Sequence, residues 1–198
     1  MSSNCAVYFF VSLNNSFIMK KTFLKFAMGF LAIFSLLFTA CDPEPTPDEQ
    51  ELITKVSLTF KDAAGKETVF AWNDPDGATG AQKPTIDNIN LAANSTYTAT
   101  IKLENATVTP AENITTEVQK ESTAHLFVYT FDKSNATFEI ADKDTAGKPL
   151  GITTKVTTKA VGDGKLRIVL KHEPTDKSNT ANPGGETDID VVFSVSVK

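Results

Sequence analysis

Between Lys55 and Val197 the apolar side chains return at every second position, and that period restricts the chain to one kind of architecture. Val56, Leu58 and Phe60 alternate with Ser57 and Thr59, and Tyr97, Ala99, Ile101 and Leu103 alternate with Thr98, Thr100 and Lys102. Ile152 and Val156 open a threonine-rich run, Leu166, Ile168 and Leu170 share one face, and Ile189, Val191, Phe193, Val195 and Val197 follow the same rule. Successive side chains of an extended strand point to opposite faces, so a period of two means one face in a core and one in water. Further strands are expected at 67–72, 86–92, 124–131 and 136–141, each bounded by Gly, Pro, Asn or Asp. About eight or nine short strands with frequent turn signals predict an all-β, antiparallel two-sheet sandwich of the Ig-like kind. One short helix is expected over Ala111–Glu121, where Ile114 and Val118 stand four apart after Pro110, crossing between the sheets. Phe70, Trp72, Phe127, Tyr129, Phe131 and Phe138 supply bulk for the core.

The chain ahead of these strands has another character. Met19–Cys41 reads MKKTFLKFAMGFLAIFSLLFTAC: basic residues Lys20, Lys21 and Lys25, an apolar core over Phe26–Phe38, then small residues up to Cys41. That core is too short to span a bilayer comfortably and has the length of a cleaved signal. Phe38-Thr39-Ala40-Cys41 resembles a lipobox, the site where a bacterial lipoprotein receives diacylglycerol on its cysteine, although Phe38 stands where an aliphatic residue is usual. The resemblance implies lipidation of Cys41 and anchoring to a membrane. Asp42-Pro43-Glu44-Pro45-Thr46-Pro47-Asp48-Glu49-Gln50 follows, and alternate prolines favour an extended tether of roughly 25–30 Å. The expected organisation is an extension ahead of the true start (1–18), a signal peptide (19–40), lipidated cysteine and tether (41–50), and the β-sandwich (51–198).

Sixteen basic residues against 24 acidic ones follow Cys41, a net charge of about −8 for the mature chain. With no basic cluster to release counterions from a phosphate backbone, nucleic acid is not an expected partner. The two cysteines are Cys5 and Cys41, so the domain must fold without a disulfide. No Gly-x-Ser-x-Gly elbow, Cys-x-x-Cys pair, P-loop or dinucleotide fingerprint occurs, and the chain is not expected to be an enzyme.

Asp74-Pro75-Asp76-Gly77, Leu91-Ala92-Ala93-Asn94, Pro110-Ala111-Glu112-Asn113-Ile114-Thr115, Leu170-Lys171-His172-Glu173-Pro174 and Gly184-Gly185-Glu186-Thr187-Asp188-Ile189 resemble segments of a family of small Bacteroidetes lipoproteins. Members are sometimes called type 1 periplasmic binding fold proteins, and they tend to occur beside TonB-dependent outer-membrane receptors. The label does not suit the pattern, because that fold has two α/β lobes with alternating helices and this chain offers one helix. The resemblance implies an outer-membrane, lipid-anchored protein that captures a ligand or assists a TonB-dependent receptor. The alternatives are a structural or adhesive Ig-like module, and a lipoprotein binding metal or haem.

For the last, the two histidines are His125 and His172. His172 shares the parity of Leu170 and points inward near the sheet's rim, with Glu173, Glu186 and Asp188 in or after the following loop. Imidazoles with carboxylates can hold zinc or another divalent metal, and two facing imidazoles can ligate haem, while a hydrogen-bonded structural histidine is the plainer expectation. His172-Glu173-Pro174 is no zinc-protease helix, because Pro174 breaks it. Asp142, Asp144 and Gly147 occupy the first, third and sixth places of a calcium loop, yet Ala146 and Thr153 supply no ligand at the fifth and twelfth, which favours an acidic turn. Asp74 and Asp76 form a second acidic turn, with calcium as the alternative. Asp144-Thr145-Ala146 resembles an acceptor for bacterial O-glycosylation, with Thr145 as the acceptor residue.

Overall fold

Asp62 closes the first hairpin. Its Oδ1 accepts the amides of Ala64 and Lys66, both at 2.9 Å, and Gly65 takes φ +84°, so the chain reverses between β1 (Lys55–Lys61) and β2 (Glu67–Asn73). The computed structural model describes residues 52–77 and 80–198; the signal segment, Cys41 and the tether lie outside the described residues. Half of the structure is strand, and the expected all-β sandwich is what the chain forms. The other elements are β3 (Thr85–Ile86), β4 (Ile89–Leu91), β5 (Thr96–Glu104), α1 (Ile114–Lys120), β6 (His125–Phe131), β7 (Ala136–Ile140), β8 (Thr153–Thr158), β9 (Gly162–His172) and β10 (Glu186–Val197).

One sheet runs β3-β2-β1-β5-β8-β7 and the other β4-β10-β9-β6. The helix lies between β5 of the first and β6 of the second, as expected of a crossover, and its Ile114 and Val118 enter the shared core. The Thr115 hydroxyl receives the Leu103 amide at 2.7 Å, which pins α1 to the end of β5. The alternation works as read: Val56, Leu58 and Phe60 meet Ile101, Leu103, Leu166, Ile168, Leu170, Phe193 and Val195 in one buried cluster. Phe70 and Phe127 are buried in it, and Trp72, Tyr129, Phe131 and Phe138 pack against it.

One expected strand divides in two. Over 86–92 the chain changes sheets, because Asp87 exchanges bonds with Ala71 (Oδ2 from the Ala71 amide at 2.8 Å, its own amide to the Ala71 carbonyl at 2.9 Å) and then leaves β2. After the switch, Ile89 and Leu91 pair with Val195 and Val197 of β10, a parallel pairing in an otherwise antiparallel fold.

Pairing register defines two ends. Lys55 faces Glu104 across β1 and β5, and His125 faces His172 across β6 and β9; α1 joins these strand ends, so β1 begins at the end of the strands where the histidines lie. At the opposite end the Ala93 amide meets the Lys198 carbonyl at 2.7 Å, and Val197 pairs with Gly162. Among the described residues no helix is long and apolar enough to cross a membrane.

Candidate functional site

At the entry end, strand register brings the two histidines together. His125 and His172 are direct partners across β6 and β9, and their rings stack with centroids 4.9 Å apart and planes 8° from parallel. His125 Nδ1 lies 3.1 Å from the Glu121 carbonyl; a carbonyl can only accept, so this nitrogen carries the hydrogen. Nε2 then looks toward Asp188, whose Oδ2 is 3.8 Å away, with the two side chains only 3% and 6% exposed. Asp188 sits where β10 shifts register between Thr187 and Ile189, and this bulge gives it no partner residue on β9. Its Oδ2 is buried without a hydrogen bond. Burial pushes its carboxyl above the usual value, Glu186 adds to that, and His125, His172 and Lys171 oppose it.

This geometry does not suit a ligand set. Imidazole lone pairs lie in the ring plane, so near-parallel stacked rings do not aim them at a common point. A porphyrin needs its two axial rings on opposite faces, and stacked rings at 4.9 Å leave it no room. Haem therefore does not fit the histidines as they stand. Among the described residues no group of three or more His, Cys, Asp or Glu is arranged to hold a metal ion. Glu186 is the exposed partner of His172 across β10, and Glu173 takes φ +45° with its amide on the Ala124 carbonyl at 2.7 Å.

The 142–144 turn is occupied by hydrogen-bond donors. Asp142 Oδ1 and Oδ2 accept the amides of Gly151 and Ile152 at 2.7 and 3.0 Å. Asp144 Oδ1 accepts those of Ala146 and Lys148 at 2.9 and 2.8 Å, and its Oδ2 meets the Lys177 ammonium at 2.6 Å. Lys177 also donates to the Ser122 carbonyl at 2.6 Å, which ties the 173–185 loop to the turn before β6. Burial works against the Asp144 charge, but Lys177 and the two amides overcome it and hold the carboxyl below its usual value. Thr145 stands exposed at this turn's tip. At 74–76 the donors are fewer: Asp76 Oδ2 accepts the amides of Ala81 and Gln82 at 2.8 and 3.1 Å, while Asp74 Oδ1 and Asp76 Oδ1 are buried with no partner.

The far end carries a feature that sequence reasoning missed, an open groove of about 570 Å³ across the outer face of the smaller sheet, lined by Asn88, Asp132, Lys133, Asp163, Lys165 and Ser196 among others. Gly164 also belongs to the lining, and on its inner side a Cβ would stand 2.5 Å from the Phe131 ring. Asp132 accepts the Lys165 amide at 2.7 Å and Asp163 accepts the Ser196 hydroxyl at 2.6 Å, so the two acids are held in place. The outward parity of Lys165 and Ser196 was the available signal, but the topology that sets β6, β9, β10 and β4 side by side was not. Compared with protein-family models, curated proteins and solved structures, the chain matches none.

Proposed function

We propose that this chain is a cell-envelope lipoprotein that carries a β-sandwich on a lipidated Cys41 and binds through the groove on its smaller sheet, either to capture a polar ligand or to engage an outer-membrane receptor of the TonB-dependent kind. The observation that carries the reading is the position of the groove. β1 begins at the end of the strands where the histidines lie, whereas Asp132, Lys133, Asp163 and Lys165 lie at the opposite end. The lipobox-like Phe38-Thr39-Ala40-Cys41 and the proline-rich tether support the anchor. A binding role in preference to catalysis is supported by how the buried and paired acids are used: Asp142 and Asp144 staple loops, Glu104 is held low by Lys102 and Lys55, and Asp190 is paired with Arg167. With both acids and both lysines of the groove in balance, the class of ligand it suits is neutral or zwitterionic and rich in hydroxyl or amide groups.

Two measurements test the proposal. Detergent phase partition of the native protein and its Cys41→Ser variant, with mass spectrometry of the N-terminal peptide, should find acylated Cys41 and detergent-phase protein only in the former. Crosslinking in intact cells should capture a receptor with the native groove and lose it with Lys133→Glu/Lys165→Glu. Aqueous-phase native protein with an unmodified thiol ends the anchor half; capture unaffected by the charge reversals ends the groove half.

A further inference from the structure

The two acidic turns of this domain differ in one physical respect. In the 142–144 turn all four carboxylate oxygens receive an N–H or ammonium donor. In the 74–76 turn only Asp76 Oδ2 has such a donor among the described residues; Asp74 Oδ1 and Asp76 Oδ1 are out of contact with water and unbonded, and Asp74 as a whole is only 5% exposed. No ion pair among the described residues reaches either side chain. Burying an ionised oxygen without a donor or a counter-charge is costly, and native structures resolve such a deficit with a proton, a water or a cation.

The turn is built to keep both oxygens. The Asp74 amide is fixed to the Thr54 carbonyl at 2.8 Å, Pro75 sets the next backbone angle, and Gly77 takes φ +75°. Asp76 Oδ2 gathers the amides of Ala81 and Gln82, which locks its carboxylate and leaves the second oxygen with no task inside the protein. Gly80 lets that carboxylate sit close, since a Cβ there would lie 2.0 Å from Asp76 Cγ. Two carboxylates separated by one residue and followed by glycine present hard oxygen donors, the chemistry that Ca²⁺ accepts with irregular geometry and water in its remaining positions.

We infer that Asp74 and Asp76 form a calcium site at the entry end of the sandwich. With two acidic ligands its affinity belongs to the weak extracellular class, a Kd of about 10⁻⁴–10⁻³ M. The site fastens β2 to the segment that leads into β1, so calcium stabilises the domain where the tether joins it.

The test uses the purified protein with CaCl₂ alone, followed by Tb³⁺ as a luminescent substitute. Trp72, the one tryptophan of the chain, stands two residues before Asp74 and serves as energy donor. Calcium at ten times its Kd should raise the folded-to-unfolded ratio about elevenfold. Tb³⁺ emission excited through Trp72 should appear and be displaced by calcium, and Asp74→Asn and Asp76→Asn should each abolish both effects. Asn retains the oxygen that Ala81 and Gln82 need, so Asp76→Asn reports on the cation even if Asp74→Asn fails to fold. A native protein whose stability ignores 10-millimolar calcium (roughly ten or more times the expected Kd), or a calcium response that survives Asp76→Asn, overturns the assignment.

Discussion

Lys177→Met is the most demanding test of how the domain is held together. The ammonium is 8% exposed and its partner Asp144 1%, so the substitution leaves a carboxylate in the interior without its counter-charge. Removing one member of a buried pair costs about 3–5 kcal/mol. The low end applies to the carboxylate, because Asp144 keeps the amides of Ala146 and Lys148, and the Ser122 carbonyl's lost donor adds about 1 kcal/mol. The sum, about 4 kcal/mol, is a large part of a typical domain stability of about 5–15 kcal/mol. At about 2–4 °C per kcal/mol it lowers the midpoint of thermal unfolding by roughly 10 °C. The effect has a pH signature. The folded Asp144 carboxyl lies below its usual 3.8, so the pair contributes stability above that pH and loses it as pH falls through the lower folded value. The gap between native and variant protein should therefore be widest at neutral pH and narrow below about pH 4. Adding Asp144→Asn to Lys177→Met should recover part of the loss. Urea titrations of the three proteins at pH 7 and pH 3 make the comparison; a loss under 1 kcal/mol, or one indifferent to pH, refutes the reasoning.

Other outcomes follow from single sites. Asp188 is a carboxyl raised by burial, which binds its proton more tightly folded than unfolded, so its contribution to stability falls as pH rises above 3.8 through the folded value. Asp188→Asn should thus gain on the native protein at pH 7 and show no gain at pH 3, by thermal unfolding in matched buffers. Gly185 takes φ +77° with a would-be Cβ 2.3 Å from the His172 carbonyl oxygen, so Gly185→Ala should cost about 2 kcal/mol or more in chemical denaturation. Leu166 is fully buried in the shared core, and Leu166→Ala should cost about 2–5 kcal/mol while leaving the far-circular-dichroism signature of strands intact.

Most of the strands were legible because burial on one face forces a period of two, and the core residues of β1, β5, β9 and β10 all obey it. Ile114 and Val118 announced the helix for the equivalent reason at a period near four. The split of 86–92 was not legible, since Asp87 departs from β2 only once Ala71 is beside it, and a bond between residues 16 apart leaves no local pattern. The bulge at Asp188 is a register event between two strands and is likewise silent in one of them. Parity did point His172 inward, yet its stacking on His125 required knowing that β6 and β9 are neighbours. The acidic turns show the limit most plainly: Asp142-x-Asp144 and Asp74-x-Asp76 have the same spacing, and only the donors that folding delivers, one for every carboxylate oxygen of the first but none for Asp74 Oδ1 and Asp76 Oδ1, separate a loop staple from a candidate cation site.

Each sheet has one margin that is only a stub. β3 offers two residues and β4 three, and on β6 the Phe127 amide is already taken by the Leu150 carbonyl at 2.8 Å. Unpaired backbone along a sheet's rim is what lets one molecule recruit another into a growing cross-strand stack, and stubby or occupied rims deny it a starting row. Copies crowded into two dimensions by the proposed anchor collide far more often than copies in free solution, and stubs at the rims keep such collisions unproductive.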